Sequence, residues 1–407
     1  MRVVLLMVAI SLASYFQRTA MSIAGPGIAK EFSLSEKELG AIFSAFVFSY
    51  ALVMIPAGWL ADRIGPRMTL AWVCFGTAAT TALTAVSGRP GLGAVLGVVP
   101  AFVIVRLLLG VATAPLYPAE ARMNANWIEL EKRSRIWGWI ASGAGIGGAL
   151  SPILFTNLIA RAGWRIAFIV IGVATAALGL AWITSVRDFP KRSAPPQTRP
   201  AVSLAQWKAL AQNRDLMLVT AGYIGIAYLE YIFFYWGFYY LGQVRHMSAD
   251  QSAWFTTALW ISWTIFAPLG GRLSDALVRW LGLKNGQRIM PIVGAGCSAA
   301  LVLLATNLEN AQAAGVVVAL ALGLAASTDA AHWTAAIHIG EQDSGAAGGI
   351  LNTGGNLGGF LGPFLTPWIA ARYGWNGGLY FACFMAVMSI VCWSFVDVER
   401  GGNQTSR

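Results

Sequence analysis

Four ionisable side chains stand where ionisable side chains are costly. Arg18, Arg106, Glu230 and Asp329 each fall near the middle of a long apolar segment. A cation at that depth in a bilayer costs about 2.5–3.5 kcal/mol on insertion scales, so it persists where it faces a cavity, a partner or an anionic ligand. Arginine suits a carboxylate because its planar fork offers two parallel N–H donors. A carboxyl set between burial and a nearby cation can exchange its proton against an incoming anion. Two cations in the first half of the chain and two acids in the second point to a transport site. A permanent ion pair that only neutralises buried charge is the structural alternative for each acid, and a water-lined position without a special role is a third.

The elements that must position these groups follow from composition. The 407 residues are 57% hydrophobic and only 11% charged, where a soluble chain carries about 25% charged residues. Apolar segments of about 20 residues, long enough to span a bilayer core, fall near 4–27, 38–60, 67–87, 94–118, 136–160, 164–186, 215–243, 251–275, 289–308, 313–337, 345–371 and 375–396. The sequence therefore predicts an all-α integral membrane protein of twelve helices. The first segment lacks a small-residue cleavage site and is read as a retained helix rather than a signal peptide.

A net charge of +10 raises nucleic acid as a partner, but its distribution argues against that. With both termini cytoplasmic, 19 of the 28 Lys and Arg residues lie on the cytoplasmic side and 7 outside. That bias sets orientation. Cys74, Cys297, Cys383 and Cys392 are scattered and read as buried thiols. His246, His332 and His338 form no metal-ligand pattern, and no phosphate-binding glycine loop or nucleophile motif occurs. Neither cofactor nor enzymatic activity is expected.

The linker-like stretch, about 187–205, holds Pro190, Pro195, Pro196 and Pro200 among basic residues. Such a segment stays out of helices and lipid. It separates residues 1–186 from 206–397, with a cytoplasmic tail over 398–407. The two halves repeat. Gly58-Trp59-Leu60-Ala61-Asp62 recurs as Gly271-Arg272-Leu273-Ser274-Asp275, 213 positions on, and Gly147-Gly148-Ala149-Leu150-Ser151-Pro152 as Gly358-Gly359-Phe360-Leu361-Gly362-Pro363 at an offset of 211. Ala160-Arg161-Ala162-Gly163-Trp164 recurs as Ala371-Arg372-Tyr373-Gly374-Trp375. Parallel repeats of this kind predict pseudo-symmetric six-helix bundles with a substrate site between them at mid-depth. Glycines 143, 145, 147 and 148, with 354, 355, 358, 359 and 362, predict close helix packing. Most of the 17 tryptophans read as lipid-facing or interfacial anchors.

The stretch Gly58-Trp59-Leu60-Ala61-Asp62-Arg63-Ile64-Gly65-Pro66-Arg67 resembles the loop signature of the major facilitator superfamily. The resemblance implies a cytoplasmic gate at Gly58, Asp62, Arg63, Arg67 and Asp275. Within that superfamily the chain is most similar to the anion:cation symporters. Four stretches carry this: Tyr15-Phe16-Gln17-Arg18, the run from Arg106 to Pro118, Glu131-Lys132-Arg133-Ser134-Arg135, and Asn352-Thr353-Gly354-Gly355-Asn356. The branch implies that Arg18 holds a substrate carboxylate, with Tyr15, Tyr50 and the Asn352–Asn356 region lining the pocket. Two departures matter. Bacterial members carry an acid before the arginine, here Gln17, and a glutamate in the fourth helix, here Thr113. Glu120, a turn beyond Tyr117 but close to the cytoplasmic end beside Arg122, is one replacement. The second-half acids are the others. At an offset of 213, Glu230 is the counterpart of Gln17.

These readings predict an inner-membrane, monomeric transporter of a small organic anion, a sugar acid or related carboxylate, driven by protons through Glu230 and Asp329. Arg18, Arg106, Tyr15, Gln17, Tyr50, Tyr228, Asn352 and Asn356 are the candidate substrate contacts. The alternatives are an exchange-type carrier, a drug exporter and a sensor without flux.

Overall fold

A computed structural model of the protein describes residues 2–189 and 204–399. Most of the stretch read as a linker, and the tail beyond 399, lie outside the described residues. Thirteen α-helices and no strand occur among those described. The first half holds α1 (Arg2–Phe32), α2 (Glu36–Ile64), α3 (Pro66–Thr84), short α4 (Leu92–Leu96), α5 (Val98–Thr113), α6 (Leu116–Trp127) and α7 (Leu130–Ser185). The second holds α8 (Leu204–Gln212), α9 (Arg214–Tyr239), a π-turn at Tyr240–Val244, α10 (Ala249–Asn307), α11 (Ala311–Ala326), α12 (Asp329–Gly340) and α13 (Ser344–Phe395).

Three helices are longer than any membrane requires, and each is two spans. In α7 the Phe155 and Phe168 rings lie 5.1 Å apart, whereas thirteen residues of straight helix rise about 20 Å. The chain reverses at Gly163, whose φ of 77° suits glycine. Gly282 in α10 and Gly374 in α13 take the same conformation. Counting α5 with α6 and α11 with α12 as single broken spans gives twelve. The chain divides into two compact units, Met1–Thr198 and Arg199–Arg407. Both expose large apolar side chains, among them Leu52, Trp72 and Val173 in the first and Trp254, Trp280 and Phe384 in the second. Apolar surface of this kind belongs against lipid.

The repeat is visible in contacts. A Cβ added at Gly147 would meet the Leu12 carbonyl oxygen at 2.2 Å, and one at Gly358 would meet that of Ile224 at 2.3 Å. Ser151 donates to the Phe16 carbonyl, and Gly362 faces that of Tyr228. One glycine-lined contact thus packs α7 on α1 and α13 on α9, each within its own half. A second recurs between Gly110 and Ser49 and between Gly323 and Ser262. Capping boxes at Ser35 and Ser248 start α2 and α10.

These contacts correct one expectation. Leu12 matches Ile224 and Phe16 matches Tyr228, an offset of 212, while Ser35 matches Ser248 at 213. One extra residue enters the second half between these points. The π-turn at Tyr240–Val244 lies in that interval, and a π-turn widens a helix by one residue. Upstream of it the offset of 212 applies, so Glu230 is the counterpart of Arg18, not of Gln17.

The tryptophans also divide. Trp182, Trp236, Trp260 and Trp393 are fully buried within the bundles, unlike Trp72, Trp254 and Trp280. Trp182 donates to the Arg67 carbonyl and Trp393 to His332.

Candidate functional site

In the first half the candidate side chains Arg18, Arg106 and Tyr50 converge on Phe46 of α2. The Arg18 guanidinium carbon, from α1, lies 5.2 Å from the Phe46 ring centre and 5.5 Å from that of Tyr15. Arg106, from α5, lies 5.0 Å from the same Phe46 ring. Both are cation–π geometries, worth most where water is excluded. Phe46 stacks on Tyr50 at 5.9 Å. Arg106 is only 1% exposed whereas Arg18 is half-buried. Of the two, Arg18 is the cation a ligand can reach.

Beneath this pair lies a second polar cluster. Tyr117 of α6 hydrogen-bonds to Tyr15 and stands beside Glu120 and Tyr50. Glu120 has no exposed surface, and Ser11 of α1 donates to its carboxylate oxygens at 3.1 Å each. Although it stands close to the span end, side chains of α1 and α6 pack around it and seal it. The signal was present as Ser11 and Tyr15, one turn apart on the face that α6 covers.

The two departures from the symporter pattern have structural partners. Gln17 is buried and its amide donates to Thr175 of α7 at 2.6 Å. Thr113 turns back to the Leu109 carbonyl of its own helix. Gln17 thus faces helix packing rather than Phe46.

In the second half Glu230 of α9 is 4% exposed, and its Oε1 has no hydrogen-bond partner. The Trp263 indole of α10 stands beside it, and Asp329 is within electrostatic reach. Asp329 opens α12 immediately after the break at Ser327 and Thr328, and its Oδ1 is likewise buried without a partner. Among the described residues of this half, no Lys or Arg forms an ion pair with either acid. Tyr223 lies close to both and meets the Trp333 indole. Behind it His332 is fully buried, with its ring 5.1 Å from that of Tyr223. Asn356 donates to the Asn352 carbonyl at 2.9 Å, one turn apart on α13. Tyr228 does not join this group. It is buried in helix packing, its hydroxyl 3.2 Å from that of Thr366 and its ring against Phe381.

Of the expected gate residues, Gly58 and Asp62 lie on α2, with their side-chain surroundings outside the described residues. Arg63 and Asp275 are exposed. Arg67 straps the start of α3 to the end of α7: its Nη2 donates to the Ile183 carbonyl at 2.6 Å and its backbone N–H to Asp188 at 2.9 Å. At the start of α7, Lys132 of the first turn bonds Glu129 at the N-cap and holds that carboxyl below its ordinary range. A groove of about 550 Å³ along α3 and α5 is apolar, lined by Met68, Trp72, Phe75, Leu108 and Val111. It contains none of the polar groups above.

Comparison with known proteins gives these sites a context. A family model described as Major Facilitator Superfamily matches residues 7–338. A probable sulfoacetate transporter of Cupriavidus necator is 28% identical over 356 residues, covering 84% of this chain and 80% of its own. A probable galactarate/D-glucarate transporter of Escherichia coli K12 is 28% identical over 426 residues, covering 98% and 95%. The solved structure of a bacterial homolog of the human lysosomal transporter Spinster, inward-facing and occupied, superposes with a TM-score of 0.80 at 16% identity. It covers 98% of this chain and 96% of that one.

Proposed function

Because the chain belongs to the Major Facilitator Superfamily, we propose that it is a secondary active transporter carrying a small organic anion by alternating access, driven by protons. Arg18 receives a carboxylate or sulfonate of the substrate, and Tyr15 and Tyr50 offer hydroxyls beside it. Arg106 holds the Phe46 platform from the sealed side. Asn352 and Asn356 add amide donors and acceptors. Gln17 and Tyr228 support the helices that carry these groups. Glu230 and Asp329 hold the coupling proton. Both termini are assigned to the cytoplasm of an inner-membrane protein, by the positive-inside bias. The gate at Gly58, Asp62, Arg63, Arg67 and Asp275 closes the cytoplasmic side.

The observation that carries this reading is the pair of arginines set against one aromatic ring inside the apolar spans. Cations there are costly and mark ligand paths. The relatives named for sulfoacetate and for galactarate and glucarate support an anionic substrate. Counterflow of labelled hexuronates, aldonates, aldarates and sulfoacetate into proteoliposomes tests it. Exchange of at least one of them, lost in Arg18→Ala, is expected. Failure of every anion, with efflux of cationic drugs instead, would replace it with the exporter reading.

A further inference from the structure

We propose that Glu230 and Asp329 hold one proton between them and act as a single site carrying one negative charge. This deepens the coupling role given to these residues above. The two carboxyls come from different helices, α9 and α12, and interact electrostatically in a buried setting. Each keeps a buried oxygen without a hydrogen-bond donor. Two interacting carboxylates, each with a buried oxygen that no donor satisfies, do not both persist ionised in low dielectric without a counter-ion, and the pair then carries one proton.

Among the described residues of the second half, no cation forms an ion pair with either carboxyl. The described groups beside the pair are Tyr223 of α9, which interacts with both carboxyls, and Trp263 of α10, which stands beside Glu230, and neither is cationic. His332 of α12 is the nearest base, and its hydrogen bonds fix it as neutral. Its Nδ1 lies 2.9 Å from the Thr328 carbonyl, which only accepts, so Nδ1 carries the hydrogen. Its Nε2 lies 2.7 Å from the Trp393 indole N–H, which only donates, so Nε2 presents its lone pair. A second proton on the ring would set N–H against N–H. The proton therefore stays on the carboxyls.

Complete protonation of the pair is opposed by the fold. Asp329 is the first residue of α12, a twelve-residue helix, and helix N-termini favour an anion. Glu230 lies mid-helix with no such support. The arrangement places the proton on Glu230 and the charge on Asp329. The repeat adds weight to this asymmetry, since Glu230 occupies the position that Arg18 holds in the first half.

Infrared difference spectroscopy of the reconstituted full chain counts the proton directly. Near neutral pH, the wild type minus the double variant Glu230→Gln/Asp329→Asn should show one carboxylic-acid band and one carboxylate band. Two acid bands, or two carboxylate bands, would overturn the proposal. Reversal-potential measurements give an independent count. Glu230→Gln, Asp329→Asn and the double variant should each lower the proton-to-anion ratio by the same single proton. A double variant that loses two, or a single variant that loses none, contradicts it. Should the double variant not fold, infrared difference spectra of the wild type against each single variant decide: Glu230→Gln should remove a carboxylic-acid band and Asp329→Asn a carboxylate band, and loss of an acid band in both would overturn the proposal. A wild type without proton-driven uptake would sink the coupling role, while the infrared count still tests the shared proton.

Discussion

Arg18 and Arg106 touch the same ring but differ in access, and the difference assigns them different tasks. In the proposed function half-buried Arg18 meets the anion, while the sealed Arg106 fixes the platform beneath it. Arg18→Lys keeps the charge and loses the planar fork. A charge-assisted hydrogen bond contributes about 1.5–3 kcal/mol, so this variant should raise KM for the anion roughly ten- to hundredfold. Initial-rate uptake measures it, and an unchanged KM would remove Arg18 from the substrate. Arg106→Lys should act otherwise, lowering thermal stability and maximal rate together. At Glu120, which among the described residues Ser11 alone hydrogen-bonds, the isosteric Glu120→Gln should fold with little change in melting temperature. Glu120→Lys should fail to fold, because it buries a cation where no carboxylate remains.

At the scale of elements, glycine sets how closely helices approach. A methyl at Gly147 or Gly358 would stand 2.2 or 2.3 Å from a backbone oxygen of the facing helix. Backbone cannot move aside as a side-chain tip can, and overpacking of this kind costs about 1–3 kcal/mol. Gly147→Ala and Gly358→Ala should therefore each lower the melting temperature in detergent, while Gly138→Ala, with open space around it, should not. Equal melting temperatures for all three would contradict the packing account.

The same contacts explain what the sequence could disclose. Apolar length disclosed the twelve spans, and the repeated Gly-Trp motifs at 163 and 374 marked two of the three reversals. Arg18, Glu230 and Asp329 stood out because polar residues are rare at such depth. The register between halves was less accessible. The conspicuous motif at the end of α2 recurs at an offset of 213, but the π-turn after α9 adds its residue without any sequence mark, so that offset pairs Glu230 with Gln17. Tyr228 looked like a pocket residue because its neighbours are aromatic, and only the helix rotation shows it turned to Thr366. Glu120 needed the α1–α6 contact before its burial could be seen.

For the whole molecule, charge is segregated by repeat. The half that carries two intramembrane arginines has its equivalent α1 position filled by an acid in the other half. On the proposed function, the two halves of one repeated design take opposite chemical tasks, anion binding in the first and proton holding in the second. The account predicts that the two tasks separate genetically: Arg18 variants lose substrate affinity, and Glu230 variants lose only the energetic drive. Uptake of labelled organic acids into proteoliposomes, with and without an inward proton gradient, for the wild type and Glu230→Gln, measures both at once. The account predicts accumulation above equilibrium in the wild type and equilibrative exchange alone in the variant. Accumulation that ignores the proton gradient, or that survives unchanged in Glu230→Gln, would contradict it.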